Sequence, residues 1–191
     1  IVGIALAVKD WSGYYPIAHE GGGNLDKKKV MDYFRTILNY PSTKIFHNAM
    51  YDVCFIRAAG LKINGTIVDT MIAGSLVDEN RFRYDLGSMG RDYLGRGKNE
   101  AVLNETAALW GVDAKSEMYK LPAIYVGEYA ERDAEMTLEL WQQMKQEIQH
   151  QDIESIFDLE TELFPCLVDM RFLGVRVDVE AANQLKQKLL A

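Results

Sequence analysis

Cysteine and proline are scarce in this chain, with two and four residues among 191. Cys54 and Cys166 each fall inside an apolar helical pattern, so they read as two buried thiols rather than as a disulfide or a metal pair. No apolar run approaches the length of a membrane span, and the opening residues lack the basic-then-apolar layout of a signal peptide. Positive charge is also short: 21 Lys and Arg face 28 Asp and Glu, leaving a formal net charge of −7. That balance argues against a protein that coats nucleic acid by bulk attraction, but not against an acidic pocket that gathers cations. Histidine is rare too. His19 and His150 read as surface or loop residues, and His47 as a satisfied strand-end histidine. No Ser or Cys has a His/Asp partner at a telling spacing, which leaves covalent nucleophilic catalysis without support.

The rest is an ordinary globular mixture, 48% apolar and 26% charged, of a cytosolic kind. Its length suits one domain with the start of another. Residues 1–8 and 13–18 read as an antiparallel pair turned around Trp11-Ser-Gly13. Asp26 opens a helix that buries Val30, Tyr33, Phe34, Ile37 and Leu38, and Pro41 ends it. A strand at 44–46 feeds a helix at 49–59, capped by Asn48, with Tyr51, Phe55 and Ile56 toward the core. Ile67-Val-Asp69 reads as a strand entering a helix at 70–77. Further helices are expected over 86–93, 100–110 and from Tyr129 onward, with a short turn at Pro122. Beyond about residue 150 the character changes: a helix over 153–172 is kinked at Pro165, Gly174 stops it, and Asp178 caps a final helix. Arg81, Arg83, Arg91, Arg96 and Lys98 form the best candidate for a local phosphate-binding patch, although a solvated loop explains them as well.

Two motifs carry chemistry. Tyr129 and Asp133 are four apart on a helical run, so they project from one face, one turn above the other. A carboxylate there can hold a divalent cation, and the phenol can hydrogen-bond a water on it. Alone, this spacing is usually a solvated helix face. The second motif is Asn48-Ala-Met-Tyr51-Asp52, a strand-to-helix corner with an acid in the first turn, where the helix dipole favours an anion. Between the two lie Asp69-Thr-Met and Tyr84-Asp-Leu-Gly-Ser-Met.

In this order and at these distances, the segments resemble the 3′–5′ exonuclease (proofreading) domain of family A DNA polymerases, in the DnaQ-like, ribonuclease-H-like superfamily. The similarity covers most of residues 1–150. It implies an α/β fold, a mixed sheet flanked by helices, with C-terminal helices added. It also implies hydrolysis of DNA from a single-stranded 3′ end with two Mg²⁺ ions, for which Mn²⁺ can substitute. On the matching positions, Asp52 and Asp133 would bind metal, Tyr129 would orient the attacking water, and Asn48 and Tyr51 would position the terminal nucleotide. Residues 164–178 are similar to the entrance of the polymerase domain, so 151–191 is expected to lead into one within the same parent chain. A phage or bacterial replication setting is compatible with this, and a membrane is not expected. One departure matters. The family's Asp-x-Glu pair belongs on a strand before the one at which this chain begins, and two carboxylates are few for two divalent ions. The expectation is a fragment lacking its first strand and inactive by itself. The competing reading is a domain that has lost catalysis and only holds DNA or braces a polymerase; an RNA-trimming relative is a third.

Overall fold

The computed structural model describes residues 1–190. Strands β1 (Gly3–Val8) and β2 (Trp11–Pro16) pair antiparallel, with Gly3 opposite Pro16 and Val8 opposite Trp11. That register leaves Lys9 and Asp10 as the turn, two residues earlier than expected. Asp10 takes a φ of +63°, a left-handed conformation that Asp tolerates in tight turns. Helix α1 (Lys27–Asn39) is capped by Asp26, whose carboxylate accepts the Lys29 N–H at 2.8 Å. Its buried stripe is Val30, Phe34 and Leu38. Tyr33 was expected there but sits on the flank of the stripe, exposed, with its ring 5.6 Å from that of Tyr15.

Strands β3 (Lys44–Phe46) and β4 (Ile67–Asp69) pair in parallel, Phe46 opposite Asp69. Each leads into a helix, α2 (Ala49–Ala58) and α3 (Thr70–Val77). Helix α4 (Leu86–Leu94) starts at Asp85, which accepts from both the N–H and the hydroxyl of Ser88, and stops at left-handed Gly95. Helix α5 (Ala101–Trp110) and a single 3₁₀ turn precede α6 (Ala123–His150), α7 (Glu154–Leu173) and α8 (Val179–Leu190). The class is α/β, as expected. Among the described residues the strands form two separate pairs rather than one hydrogen-bonded sheet.

Helix α6 is the spine. Both strands of the hairpin, β3 and helices α3, α4, α5 and α7 all pack on it. Its Met136, Leu140, Met144 and Ile148 join Val68, Ala73, Leu86, Met89 and Phe157 in the main core. Burial of side chains of this kind contributes roughly 1.5–3 kcal/mol each. A second core lies between the hairpin and α1, and a third joins Ala49 and Val53 to Phe164 and Val168 of α7. Helix α7 runs through Pro165 as one element. Cys166 falls between Phe164 and Val168 in sequence and so on the opposite side of α7; it is exposed rather than buried, and Cys54 is half-buried. Helix α8 has no buried residue.

The entrance to α6 is fixed by a histidine expected at the surface. His19 is buried, with Nδ1 2.8 Å from the Leu121 carbonyl and Nε2 2.7 Å from the Tyr14 hydroxyl. A carbonyl only accepts, so Nδ1 carries the proton and Nε2 accepts from Tyr14. Burial lowers the His19 pKa, with the carbonyl bond opposing it, and burial pushes Tyr14 up to about 12. The folded state therefore binds the His19 proton more weakly than the unfolded chain. Stability from this residue is present above the ordinary histidine pKa and is lost as pH falls below it. The urea midpoint is expected to decline between pH 7 and 5.5, and less steeply in His19→Gln; equal slopes would remove His19 from this role.

Candidate functional site

The first half of the site is the corner between β3 and α2. Asn48 adopts φ 61° and ψ 53°, a left-handed conformation that Asn enters more readily than most residues. In that pose its side chain makes no capping bond, contrary to expectation. The cap comes from across the parallel pair. The carboxylate of Asp69, at the end of β4, accepts the N–H of Asn48 at 2.9 Å and that of Ala49 at 2.8 Å. It also accepts the Met71 N–H of its own helix at 2.9 Å. One buried acid thus satisfies donors at two helix starts. Sequence reasoning marked Asp69-Thr70 as a strand-to-helix corner but missed this bridge, because its partner lies 21 residues away.

Asp52 stands in the first turn of α2. The residue is solvent-exposed, yet the protein atoms massed around its carboxyl, and then the negative charge of Asp69, push its pKa up to about 6. Tyr51 and Phe55 do not face the core as expected. They are 59% and 46% exposed, and their rings lie 4.9 Å apart. The buried stripe of α2 is Ala49, Val53 and Ile56, at helical spacing, which leaves positions 51 and 55 on the outer side.

The second half is on α6. The helix begins at Ala123, so Tyr129 and Asp133 lie well inside it rather than at its head. Lys98, from the loop after α4, places its ammonium 2.5 Å from Asp133 Oδ2 and 3.2 Å from the Tyr129 hydroxyl. Burial alone would lower the Lys98 pKa; the bond to Asp133 and its charge outweigh that, and the net direction is upward. Burial, followed by the Asp133 charge, also raises Tyr129. Arg96 and Arg132 border the same cavity, of about 140 Å³, but each holds another carboxylate: Glu139 at 2.5 Å and Glu128 at 2.6 Å. Arg81 pairs with Asp92, and Arg91 donates to the Ser88 hydroxyl, so most of the expected basic patch is spent on local partners.

His47 follows strand β3, just before Asn48. Its Nδ1 lies 2.9 Å from the Thr70 hydroxyl; its buried Nε2 makes no well-formed hydrogen bond, although the Tyr84 backbone beside the ring favours the protonated form. Burial lowers its pKa, and it feels the negative charge of Asp69 and the positive charge of Lys98. The structure brings Asn48, Tyr51 and Asp52 together on one helix start, and Tyr129 with Asp133 on another helix. Asp69, not Asp133, is the charged group acting on Asp52. Among the described residues, no three His, Cys, Asp or Glu side chains converge as a ready metal cluster. The donor set does suit a hard divalent cation: both acids offer carboxylate oxygens, and Asp133 already holds a cation in the form of the Lys98 ammonium. No helix among these residues is long and apolar enough to cross a membrane.

A family model described as 3′-5′ exonuclease matches residues 9–149. A DNA-directed DNA polymerase of Pseudomonas phage M6 is 34% identical over 98% of this chain and 29% of its own length. DNA polymerase I of Pseudomonas aeruginosa is 30% identical over all of this chain and 22% of its own. The chain thus spans less than a third of these relatives. Two solved structures share the fold at 18% identity: the POL domain of Pol1 from M. smegmatis in complex with DNA primer-template and dNTP, and the apo form of a nuclease. The first has a TM-score of 0.69 and covers 98% of this chain and 28% of its own; the second has 0.64 and covers 88% and 74%.

Two outcomes follow from the corner. Asp69→Ala strands donors at both helix starts and is expected to cost about 2–4 kcal/mol in urea unfolding; a loss within about 0.5 kcal/mol would show the bridge to be incidental. The Asp52 carboxyl is expected to titrate near pH 6 by ¹³C NMR. Because its folded pKa is raised, the folded state holds this proton more tightly, so its contribution to stability falls as pH rises through that range. In Asp69→Asn the midpoint should move down while staying above the ordinary aspartate value. An ordinary midpoint in the wild type would contradict the environment described.

Proposed function

Because the chain belongs to the 3′–5′ exonuclease domain family of family A DNA polymerases, we propose that it removes nucleotides from the 3′ end of single-stranded DNA in a metal-dependent reaction. The observation that carries this reading is the Tyr129–Asp133 pair on one helix face, sharing a single cationic partner in a part-buried cavity. Asp52 and Asp133 would hold Mg²⁺, or Mn²⁺ in its place, through carboxylate oxygens. When bound, such ions acidify a water and neutralise charge on the phosphate and the leaving 3′ oxygen. The Tyr129 hydroxyl lies one turn from Asp133 and orients the attacking water by hydrogen bonding. Tyr51 and Phe55, exposed side by side next to Asp52, offer an aromatic surface on which a terminal base can stack. Asn48, exposed at the same helix start and free of a capping bond, would hydrogen-bond that nucleotide.

Two carboxylates offset only part of the charge on two divalent ions, so Asp52 and Asp133 would share them with further oxygen ligands, water and substrate phosphate among them. We also assign residues 1–150 to the exonuclease domain and 151–191 to the passage into a polymerase domain of the same parent chain. The exposed Val175, Val177, Leu185 and Leu189 would pack against that domain. A phage or bacterial replication setting fits this assignment.

In the intact protein, Asp52→Ala and Asp133→Ala are each expected to slow Mg²⁺-dependent shortening of a 5′-labelled single-stranded oligonucleotide on the order of a hundredfold or more. The circular dichroism of both variants should match the wild type. Full activity in either variant would refute the site. A wild-type protein that retains DNA without shortening it would instead identify a binding module.

A further inference from the structure

Asp133 is not waiting for a cation; it has one. The Lys98 ammonium lies 2.5 Å from Asp133 Oδ2, with the two side chains 22% and 25% exposed, and 5.2 Å from the centroid of the Tyr129 ring. Arg96 and Arg132, on the same cavity, are each about half exposed and point to carboxylates of their own. Only Lys98 is directed onto the acid that the exonuclease reading assigns to metal. An ammonium and a hard divalent ion seek the same oxygen lone pairs, so they compete for that carboxylate.

Lys98 also has the means to leave. Its four-carbon stem is flexible, and it extends from a loop in which Gly97 packs on the Arg91 side chain. The stem passes Gly87, where a Cβ would lie 3.5 Å from Lys98 Cγ, an ordinary contact. Once displaced, the ammonium stays in a cavity of about 140 Å³ that Arg96 and Arg132 also line. Arg96 and Arg132 keep carboxylates of their own, so the displaced Lys98 ammonium is the one charge there left without a partner until an anion enters. The substrate's phosphate is that anion.

We propose that Lys98 is a displaceable counter-ion, seated on Asp133 at rest and transferred to the substrate phosphate when a divalent cation takes its place. This rests on the nuclease reading above and adds a positioning residue to it. Metal and nucleotide then favour one another's binding, and each must strengthen the other by the same factor. Lys98→Met removes the competitor and the phosphate contact together, whereas Lys98→Arg keeps the charge.

The test is Mn²⁺ binding to the intact protein, followed by the electron paramagnetic resonance signal of the free ion, with and without thymidine 5′-monophosphate. Lys98→Met is expected to bind Mn²⁺ roughly twofold to fivefold more tightly than wild type, the scale on which such an ion pair competes. It should also lose most of the mutual strengthening with the nucleotide. Lys98→Arg should keep wild-type behaviour, and Asp133→Asn should bind Mn²⁺ more weakly. Unchanged or weaker Mn²⁺ binding in Lys98→Met, with Asp133→Asn still impaired, would overturn the role of Lys98 and leave the exonuclease reading standing. Unaltered Mn²⁺ binding in Asp133→Asn would overturn both.

Discussion

One buried carboxylate holds the β3–α2 corner in place. Asp69 accepts N–H groups from Asn48 and Ala49 on one side and Met71 on the other, tying the start of α2 to the start of α3 across the parallel β3–β4 pair. That bond set holds Asn48 in its left-handed turn and, together with the packing of Ala49 and Val53 on α7, sets the rotation of α2 about its axis. The direction of Asp52, Tyr51 and Phe55 depends on that rotation. The same charge that orders the corner also disfavours ionisation of Asp52, which makes an otherwise ordinary aspartate sensitive to whatever cation approaches it.

Helix α6 supplies the second constraint by doing different work along its sides. Glu131 accepts the Tyr14 N–H at 2.9 Å and Glu135 accepts the Ser12 hydroxyl at 2.6 Å, clasping the β1–β2 hairpin. Met136, Leu140 and Met144 are sunk in the main core. With those sides committed, Tyr129 and Asp133 are left facing the cavity, where rotation is no longer free. His19 sets the start of the helix by holding the Leu121 carbonyl. In a chain with a net charge of −7, Lys98, Arg96 and Arg132 are gathered round one cavity by three different acids, and a cation that releases one of those acids frees a positive charge for a phosphate.

Local order was largely legible in the sequence. Helical spacing in α1, the Gly95 stop of α4, the strand-to-helix steps at 44–58 and 67–77, and the pairing of Tyr129 with Asp133 were all local patterns that the fold keeps. What escaped was decided by partners far away in the chain. Asn48 is a good capping residue, but a stronger acceptor arrives from β4. Tyr51 and Phe55 are apolar enough for a core, yet the stripe chosen by Phe164 and Val168 of α7 is Ala49 and Val53. His19 is followed by Glu20 and three glycines that signal a loop, and the approach of Leu121 and Tyr14 buries it. Lys98 was noticed as one charge among five. Nothing near it in sequence distinguishes it from Arg96, and the distinction appears only when α6 brings Asp133 beneath it.

The account stands on Asp52 and Asp133 serving a common group of cations although they sit on separate helices. The most direct measurement is a crystal structure of the intact protein soaked in Mn²⁺ and a nucleoside monophosphate, with the ions located by anomalous scattering. Manganese ligated by oxygens of both Asp52 and Asp133, with Lys98 withdrawn toward the phosphate, is the predicted result. Manganese bound elsewhere, with the Lys98–Asp133 pair intact and Asp52 facing only solvent, would contradict it.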